Sequence, residues 1–148
     1  MAEAFTAARI EQLIRTYIQA CNDADPKAIG ACFCPDALHY GPGASKWSGA
    51  AAIGDNFAKR VQEQGHCWTV DQVLVDIERC AAALEWTRFD RKARIVRGVD
   101  WLVFEPRTLR IREIRPYFAI PPNPDAARQE LRDFDYAGRG YPTSAPSR

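Results

Sequence analysis

The feature that most constrains the fold of this chain is a change in hydrophobic period just before Trp68. Ahead of that point, apolar residues recur every three or four positions, as on an amphipathic helix. Beyond it they lie in runs rich in β-branched and aromatic residues, as in strands. A chain with its helices first and its strands afterwards is typical of an α+β domain, in which the helices cover one face of the sheet.

Three helices are predicted in the first part of the chain. The first follows the capping residue Thr6, and the second follows Asp25, with Pro26 in its first turn. The third runs from Ser48 to Gly65, where the glycine ends it. A brief strand over residues 37–40 precedes the third helix.

Four consecutive strands are predicted over residues 68–77, 81–89, 95–104 and 109–118. Charged or proline-bearing turns connect them, which indicates an antiparallel meander. A short helical stretch over 126–132 is predicted in the tail that follows. We expect one α+β domain over residues 1–120. A C-terminal extension over 121–148 would pack on that domain or on a partner subunit.

Composition excludes several classes of protein. The 148 residues carry 20 Lys and Arg against 19 Asp and Glu, a net charge of +1. The chain therefore lacks the excess of positive charge that would attract a nucleic acid or an anionic membrane. Charged residues interrupt the N-terminal segment, and no apolar run approaches the roughly 20 residues that span a bilayer. We therefore expect a soluble, cytoplasmic protein that binds neither nucleic acid nor membrane.

The five cysteines are odd in number and irregularly spaced, which suits neither a disulfide framework nor a zinc site. Cys32 and Cys34 are one residue apart, and no histidine follows at a ligand spacing. The cysteines are therefore interpreted as small thiols in a reducing compartment. We expect no metal and no other cofactor.

Four short motifs occur in an order and spacing that resemble one family. They are Asn22-x-x-Asp25, Phe33-x-Pro35-Asp36-Ala37, Trp47-Ser48-Gly49-x-x-x-Ile53 and Ile111-x-Glu113-Ile114-Arg115-x-Tyr117. The chain from Ile10 to Phe118 thus resembles the SnoaL-like and ketosteroid isomerase-like superfamily. Its members include polyketide cyclases, scytalone dehydratase, limonene epoxide hydrolase and nuclear transport factor 2. The resemblance implies a cone-shaped, cystatin-like fold with a strongly bent antiparallel sheet on three helices.

The resemblance also implies a candidate oxyanion hole. Tyr17 matches a first-helix tyrosine of the steroid isomerases, and Asp100 matches the strand acid that acts with it. Asp100 would be a buried, protonated hydrogen-bond donor, because a carboxyl on an apolar strand has a raised pKa. Gly41 stands where those isomerases carry their catalytic base, so the chain departs from the family there. An exposed Asp100 paired with an arginine of a neighbouring strand is the alternative.

Two histidines are candidates for the missing acid or base. His39 lies on the short strand beside Gly41, and its unperturbed pKa of about 6.5 suits reversible proton transfer. His66 follows the third helix and is the second candidate, since dehydratases of this fold use a histidine in this general region. His39 is equally explained as an exposed strand residue, and His66 is better explained as a solvated residue at a helix end.

Large apolar side chains would line the cavity, although aromatic residues of this kind also form plain cores. The candidates for substrate binding are Trp47, Phe57, Trp68, Trp86, Leu102, Pro116 and Phe118. Strand alternation places Arg88 on the same face as Trp86, and it places Arg97 on the face opposite Asp100. The second assignment weakens an epoxide-hydrolase interpretation, which requires an arginine beside the acid.

These observations favour a cofactor-independent enzyme that performs isomerase, cyclase or dehydratase acid–base chemistry on an apolar, carbonyl-bearing substrate. The alternatives are an epoxide-hydrolase-like enzyme and a non-catalytic domain that binds a hydrophobic ligand or an assembly partner. We also expect a homodimer, because an open sheet with exposed aromatic residues must cover its apolar face.

Overall fold

The computed structural model describes residues 4–41, 45–120, 123 and 125–147. The helices within them are α1 (Ala7–Asn22), α2 (Pro26–Ala31) and α3 (Ala50–Gln64). The strands are β1 (Phe33–Tyr40), β2 (Lys46–Ser48), β3 (Cys67–Asp76), β4 (Ala81–Phe89), β5 (Ile95–Phe104), β6 (Ile111–Phe118) and β7 (Arg128–Gln129). Across these described residues, no helix is long and apolar enough to cross a membrane.

One sheet with the strand order β2-β1-β6-β5-β4-β3 contains all the long strands. The strands β3 to β6 form the predicted antiparallel meander, and the sheet is strongly curved and unclosed. The expected α+β cone is therefore confirmed. The sheet is not wholly antiparallel, however, because β1 joins β6 in a parallel pair and β7 joins β5 in another.

The helices cover the inner face of the sheet, where they enclose the main apolar core. From α1, Ile10 and Ile14 are fully buried, and Leu84 and Leu102 meet them from β4 and β5. Each of these side chains contributes about 1.5–3 kcal/mol by leaving water. The opposite side of the sheet is called the outer face below.

The residues of the Asn-x-x-Asp motif hold the helices in place. Asn22 donates to the carbonyl of Trp68 at 2.9 Å and accepts from the Trp68 backbone N–H at 2.8 Å, which ties the end of α1 to the start of β3. Asp25 accepts from the backbone N–H groups of Lys27 and Ala28 and so caps α2. Both motif residues are thus structural.

The segment around β2 differs from the sequence-based expectation. The short strand β1 begins at Phe33 and not at residue 37, and β2 pairs with its end, opposite Leu38, His39 and Tyr40. Because β2 takes up Ser48, α3 begins two residues later than predicted, after Gly49. The end of α3 is confirmed, since Gly65 adopts the left-handed conformation there, with φ of 66°.

The C-terminal segment also differs from expectation, because the helix predicted over 126–132 is absent from the described residues. Arg128 and Gln129 instead extend beside Ile95 and Val96 as the short strand β7. Further along, Tyr136 is buried on the outer face of the sheet. The described part of the segment therefore lies across the outer face.

Candidate functional site

One cavity, lined by most of the residues predicted for the site, lies between the inner face of the sheet and α3. It holds about 570 Å³ of empty space when the open solvent at its mouth is included. Six large apolar side chains line it: Trp47, Phe57, Trp68, Trp86, Pro116 and Phe118. All six were predicted from the sequence as substrate-binding residues. The seventh prediction, Leu102, is wholly buried in the core and does not line the cavity.

Six polar side chains share this cavity: His39, Ser45, Lys46, Arg60, Arg88 and Asp100. Gly41, at the position of the missing base, lines it as well. Asp100 contributes the only carboxyl among the described lining residues. The cavity is therefore an apolar chamber in which three cationic side chains accompany one acid.

Asp100 lies deep in the chamber, with 7% of its surface exposed. Its Oδ1 atom accepts a hydrogen bond of 2.8 Å from Nε1 of Trp86. Burial raises the pKa of Asp100 from its ordinary value near 3.8 to about 7, while the bond from Trp86 acts in the opposite direction. At neutral pH this carboxyl is therefore poised between its protonated and ionised forms.

Gly98 allows Trp86 to reach Asp100. The two strands place Gly98 directly opposite Trp86, and a side chain at this glycine would overlap the indole ring. The indole therefore lies flat against β5 and points its N–H toward Asp100, two residues further along the strand. The glycine in the run Val96–Leu102 is the sequence signal for this arrangement.

His39 stands at the other side of the chamber, packed among aromatic rings. Its ring stacks on Trp47 with centroids 5.3 Å apart and meets the edge of Phe57 at 4.9 Å. Burial, with a smaller contribution from the charge of Arg60, lowers the pKa of His39 to about 4. The imidazole is therefore neutral at pH 7.

Two guanidinium groups also face the chamber. Cζ of Arg60 lies 5.0 Å from the ring centroid of Trp47, and Cζ of Arg88 lies 5.9 Å from that of Phe118. Burial and then the charge of Arg60 lower the pKa of Arg88 to about 10, so it stays protonated at neutral pH. The prediction that Arg88 shares a face with Trp86 is confirmed.

Tyr17 does not line the chamber. It is buried in the core with 1% exposure, against the edges of Phe33 and Phe57. Burial is the largest cause that raises its pKa well above 10, and the interactions with Cys21 and Asp100 act in the same direction. The hydroxyl is hydrogen-bonded with the Cys21 thiol. The tyrosine thus lies near Asp100, but it is separated from the space that a ligand would fill.

His66 is also outside the chamber. It is buried with 3% exposure, and its ring meets the edge of Trp68 at 5.4 Å. Burial and then the charge of Arg88 lower its pKa to about 4. Of the four predicted catalytic residues, the structure brings His39 and Asp100 into one cavity and leaves Tyr17 and His66 behind its walls.

Arg97 faces away from Asp100, as strand alternation predicted. On the outer face its guanidinium donates to the hydroxyl of Thr87 at 2.7 Å and to the carbonyl of Pro142 at 2.8 Å, and it pairs with Glu130 at 3.2 Å. It also lies 4.1 Å from the ring centroid of Tyr136. Arg97 therefore fastens the C-terminal segment and is not a residue of the chamber.

Sequence reasoning missed the remaining cations of the chamber. Arg60 follows Phe57 by three positions on α3, a spacing that puts both on neighbouring parts of one helix face. Lys46 precedes Trp47 in β2, which was not predicted as a strand. The helical spacing from Phe57 could therefore have predicted Arg60. Lys46 could not be predicted in this way, because its place in the chamber depends on the pairing of β2 with β1, which the sequence did not indicate.

Among the described residues, no group of His, Cys, Asp and Glu side chains is arranged to hold a metal ion.

Comparison with solved structures shows the same architecture elsewhere. A protein of unknown function with a cystatin-like fold from Methylobium petroleophilum is 39% identical, with 99% of each chain covered and a TM-score of 0.76. A putative polyketide cyclase from Sinorhizobium meliloti is 17% identical over 76% of this chain and 100% of that one, with a TM-score of 0.64. The epoxide hydrolase/cyclase-like enzyme SalBIII of salinomycin formation is 18% identical over 75% and 91% of the two chains, with a TM-score of 0.63.

The two more distant structures establish a shared fold only. No curated protein matches the sequence. The family model of the SnoaL-like domain matches residues 14–114, a stretch that holds the second half of α1, all of α2 and α3, and most of the meander. On this match, and on the close relative that shares nearly its whole length, the chain belongs to the family of SnoaL-like domains.

Proposed function

We propose that the protein is a cofactor-independent enzyme that moves a proton on an apolar, carbonyl-bearing small molecule, with Asp100 as the proton carrier. The observation that carries this proposal is one buried carboxyl, with a pKa of about 7, in an otherwise apolar and cationic chamber. A group whose pKa is near the working pH is the best compromise between holding the proton and releasing it.

The two histidines are weaker candidates for this role than the sequence indicated. With a pKa of about 4, each is a poor base at neutral pH and is almost never in its acidic form. We therefore assign the proton to Asp100, which the sequence favoured as a fixed hydrogen-bond donor. His39 remains in the site as a neutral hydrogen-bonding group.

The surroundings of Asp100 support a reaction that creates negative charge. When the ionised carboxyl removes a proton next to a carbonyl, the electron pair of the C–H bond moves onto the carbonyl oxygen. Lys46, Arg60 and Arg88 line the same chamber, so its net positive charge favours a reaction in which negative charge develops. Asp100 then returns the proton at another atom, as an isomerase does, or assists a ring closure or an elimination.

The structural neighbours fit this class of chemistry without selecting one reaction. One is described as a putative polyketide cyclase and another as an epoxide hydrolase/cyclase-like enzyme. Epoxide hydrolysis is the less favoured alternative here, because Asp100 is the one carboxyl that the described residues bring to the chamber. Simple ligand binding is the alternative from another class, and the following experiment separates it.

The test uses 5-nitrobenzisoxazole, a neutral aromatic probe whose ring opens when a base removes its single acidic C–H proton. The wild-type protein should open it with a kcat/KM that rises with pH to a plateau, with a midpoint near 7. Asp100→Asn should reduce kcat/KM by about 100-fold or more, since a positioned base supplies 10²–10⁴-fold. Calorimetric titration with the probe at low pH measures binding separately.

A matched control is Asp71→Asn. The Asp71 carboxyl is also partly buried and has a raised pKa, but it lies outside the chamber and accepts from Thr69 and Thr87. This variant should keep the wild-type rate. Trp86→Phe should move the midpoint above 7, because it removes the bond that lowers the pKa of Asp100. Binding of the probe without ring opening would refute the proposal in favour of a ligand-binding domain.

A further inference from the structure

Two arginines of the chamber, Arg60 and Arg88, have no salt-bridge partner among the described residues. The charge of Asp90 acts on Arg88, but more weakly than the opposing charge of Arg60. Among residues 4–41, 45–120, 123 and 125–147, Arg60 and Arg88 make ring contacts, with Trp47 and Phe118, but neither forms a salt bridge or a hydrogen bond. Arg60 is exposed and Arg88 is half-buried, so the N–H donors of both side chains stay available to a ligand that enters the chamber.

The two groups are also close enough to repel each other. The charge of Arg60 is the second cause, after burial, of the lowered pKa of Arg88. The same charge disfavours protonation of His39 and His66, so Arg60 lies within electrostatic reach of this whole side of the chamber. An anion placed between the guanidinium groups would turn this repulsion into attraction.

Asp100 does not supply that anion. Its carboxyl is engaged by Trp86, and its raised pKa reflects burial without a compensating cation. Strand register explains the separation, because Arg88 stands opposite Val96, four residues along β5 from Asp100. The Phe118 ring lies between Arg88 and the Trp86–Asp100 pair. It is 5.2 Å from the Trp86 ring, and the Arg88 guanidinium lies over it.

We propose that Arg88 and Arg60 bind the carboxylate of a small, otherwise apolar substrate whose body lies over Phe118 and Trp86 and whose reacting end meets Asp100. The guanidinium fork matches a carboxylate with two parallel N–H···O bonds, and the aromatic rings supply the apolar contact. This proposal names the substrate class of the proposed function and rests on it for the reacting end. The anion site itself requires only binding.

The test compares three ligands that share one aromatic ring: phenylacetate, phenylacetamide and phenyl phosphate. Calorimetric titration at pH 7 should give a dissociation constant for phenylacetate at least tenfold lower than for the neutral amide, as expected for charge-assisted bonds. Arg88→Met and Arg60→Met should each remove most of this preference while leaving amide binding within about twofold. Tighter binding of phenyl phosphate than of phenylacetate would overturn the assignment to a carboxylate.

Matched controls remove the same charge elsewhere. Lys59→Met changes the residue next to Arg60 on the exposed side of α3, and Lys92→Met changes an exposed turn after β4. Both should keep the wild-type preference. Equal affinity for acid and amide in the wild type, or a preference that survives both arginine variants, would overturn the proposal. Because these titrations involve no reaction, they are independent of the ring-opening assay of Asp100.

Discussion

At the scale of single residues, Asp100 makes the stability of the fold depend on pH in a direction opposite to most acids. Its pKa is about 7 in the folded protein and about 3.9 in an unfolded chain, so the native state holds the proton more tightly. The stabilisation that the protonated Asp100 gives to the folded state is complete below about pH 4, and it is lost as the pH rises through 7. We predict that, between about pH 4 and pH 7, the free energy of unfolding of the wild type falls by roughly 4 kcal/mol relative to that of Asp100→Asn.

Urea unfolding of both proteins at a series of pH values measures this difference. The comparison must be made between the two proteins, because His39 and His66 act in the other direction. Their pKa values are lowered to about 4, so the stability that they contribute is present above pH 6.5 and lost as the pH falls through 4. A difference between wild type and variant that is constant from pH 4 to 8 would contradict the assignment.

Residue patterns predicted the acid of the chamber better than its cations. Alternation along β4 and β5 put Arg97 on the face opposite Asp100 and Arg88 on the face of Trp86, whereas the inward direction of Asp100 also depended on the family resemblance. Tyr17 lies on the buried stripe of α1, as its spacing predicted, but it does not line the chamber, and its hydroxyl is bonded with Cys21 on its own helix. No spacing rule gives the direction of one hydroxyl in a packed core, because neighbouring side chains decide it.

At the scale of secondary-structure elements, the attachment of the C-terminal segment depends on Arg97. The guanidinium is nearly buried and joins β4, Glu130 and Pro142. We predict that Arg97→Met destabilises the protein by about 3 kcal/mol, since it removes the bonds to Thr87 and Pro142 and leaves Glu130 only its 3.6 Å pair with Arg128. It should also expose the segment after residue 120 to proteases. Denaturant unfolding and timed trypsin digestion followed by mass spectrometry measure the two effects.

Arg107→Met is the matched control, because Arg107 lies exposed in the turn after β5. Its stability and digestion pattern should equal those of the wild type. An Arg97→Met protein with a protected C-terminal segment would show that the other attachments hold the segment without Arg97. These are the pairing of β7 with β5 and the hydrogen bond of 2.6 Å that the Tyr141 hydroxyl donates to Glu85.

The elements that sequence reasoning placed correctly are those with a strong local pattern. The helices and the four meander strands follow from hydrophobic period and turn residues. The parallel pairing of β1 with β6 joins residues more than 70 positions apart, and β2 and β7 are too short for a period to show. The apparent helix over 126–132 failed because the sheet edge of β5 and the Arg97 contacts outweigh a weak local propensity.

At the scale of the whole molecule, the outer face of the sheet carries an uncovered apolar area. Its exposed members are Leu74, Val99, Trp101 and Tyr117. Strand register joins them, because Leu74 and Trp101 both pair with Ala83, and Val99 pairs with Tyr117. We propose that a second copy of the chain covers this area, since exposed patches of this kind mark interfaces.

Light scattering coupled to size exclusion tests this proposal. The wild type should have twice the 16.6 kDa mass of one chain at micromolar concentration, and Trp101→Glu should shift it to a single chain. Leu131→Glu is the control, because Leu131 is 59% exposed but belongs to the C-terminal segment and not to the strands that carry these four residues. A wild type of one chain mass, or a Trp101→Glu protein that stays dimeric, would contradict the proposed interface.

The distribution of tryptophans gives the molecule an intrinsic optical signal for its chamber. Of the four in the sequence, Trp47, Trp68 and Trp86 line the cavity, and Trp101 lies on the opposite face. Indole emission responds to nearby charge and to water, so the Trp86–Asp100 hydrogen bond couples fluorescence to the protonation of the carboxyl. In a Trp101→Phe variant, all the tryptophan emission would come from the three tryptophans of the chamber. Ligand entry and proton uptake then become visible in the unlabelled protein.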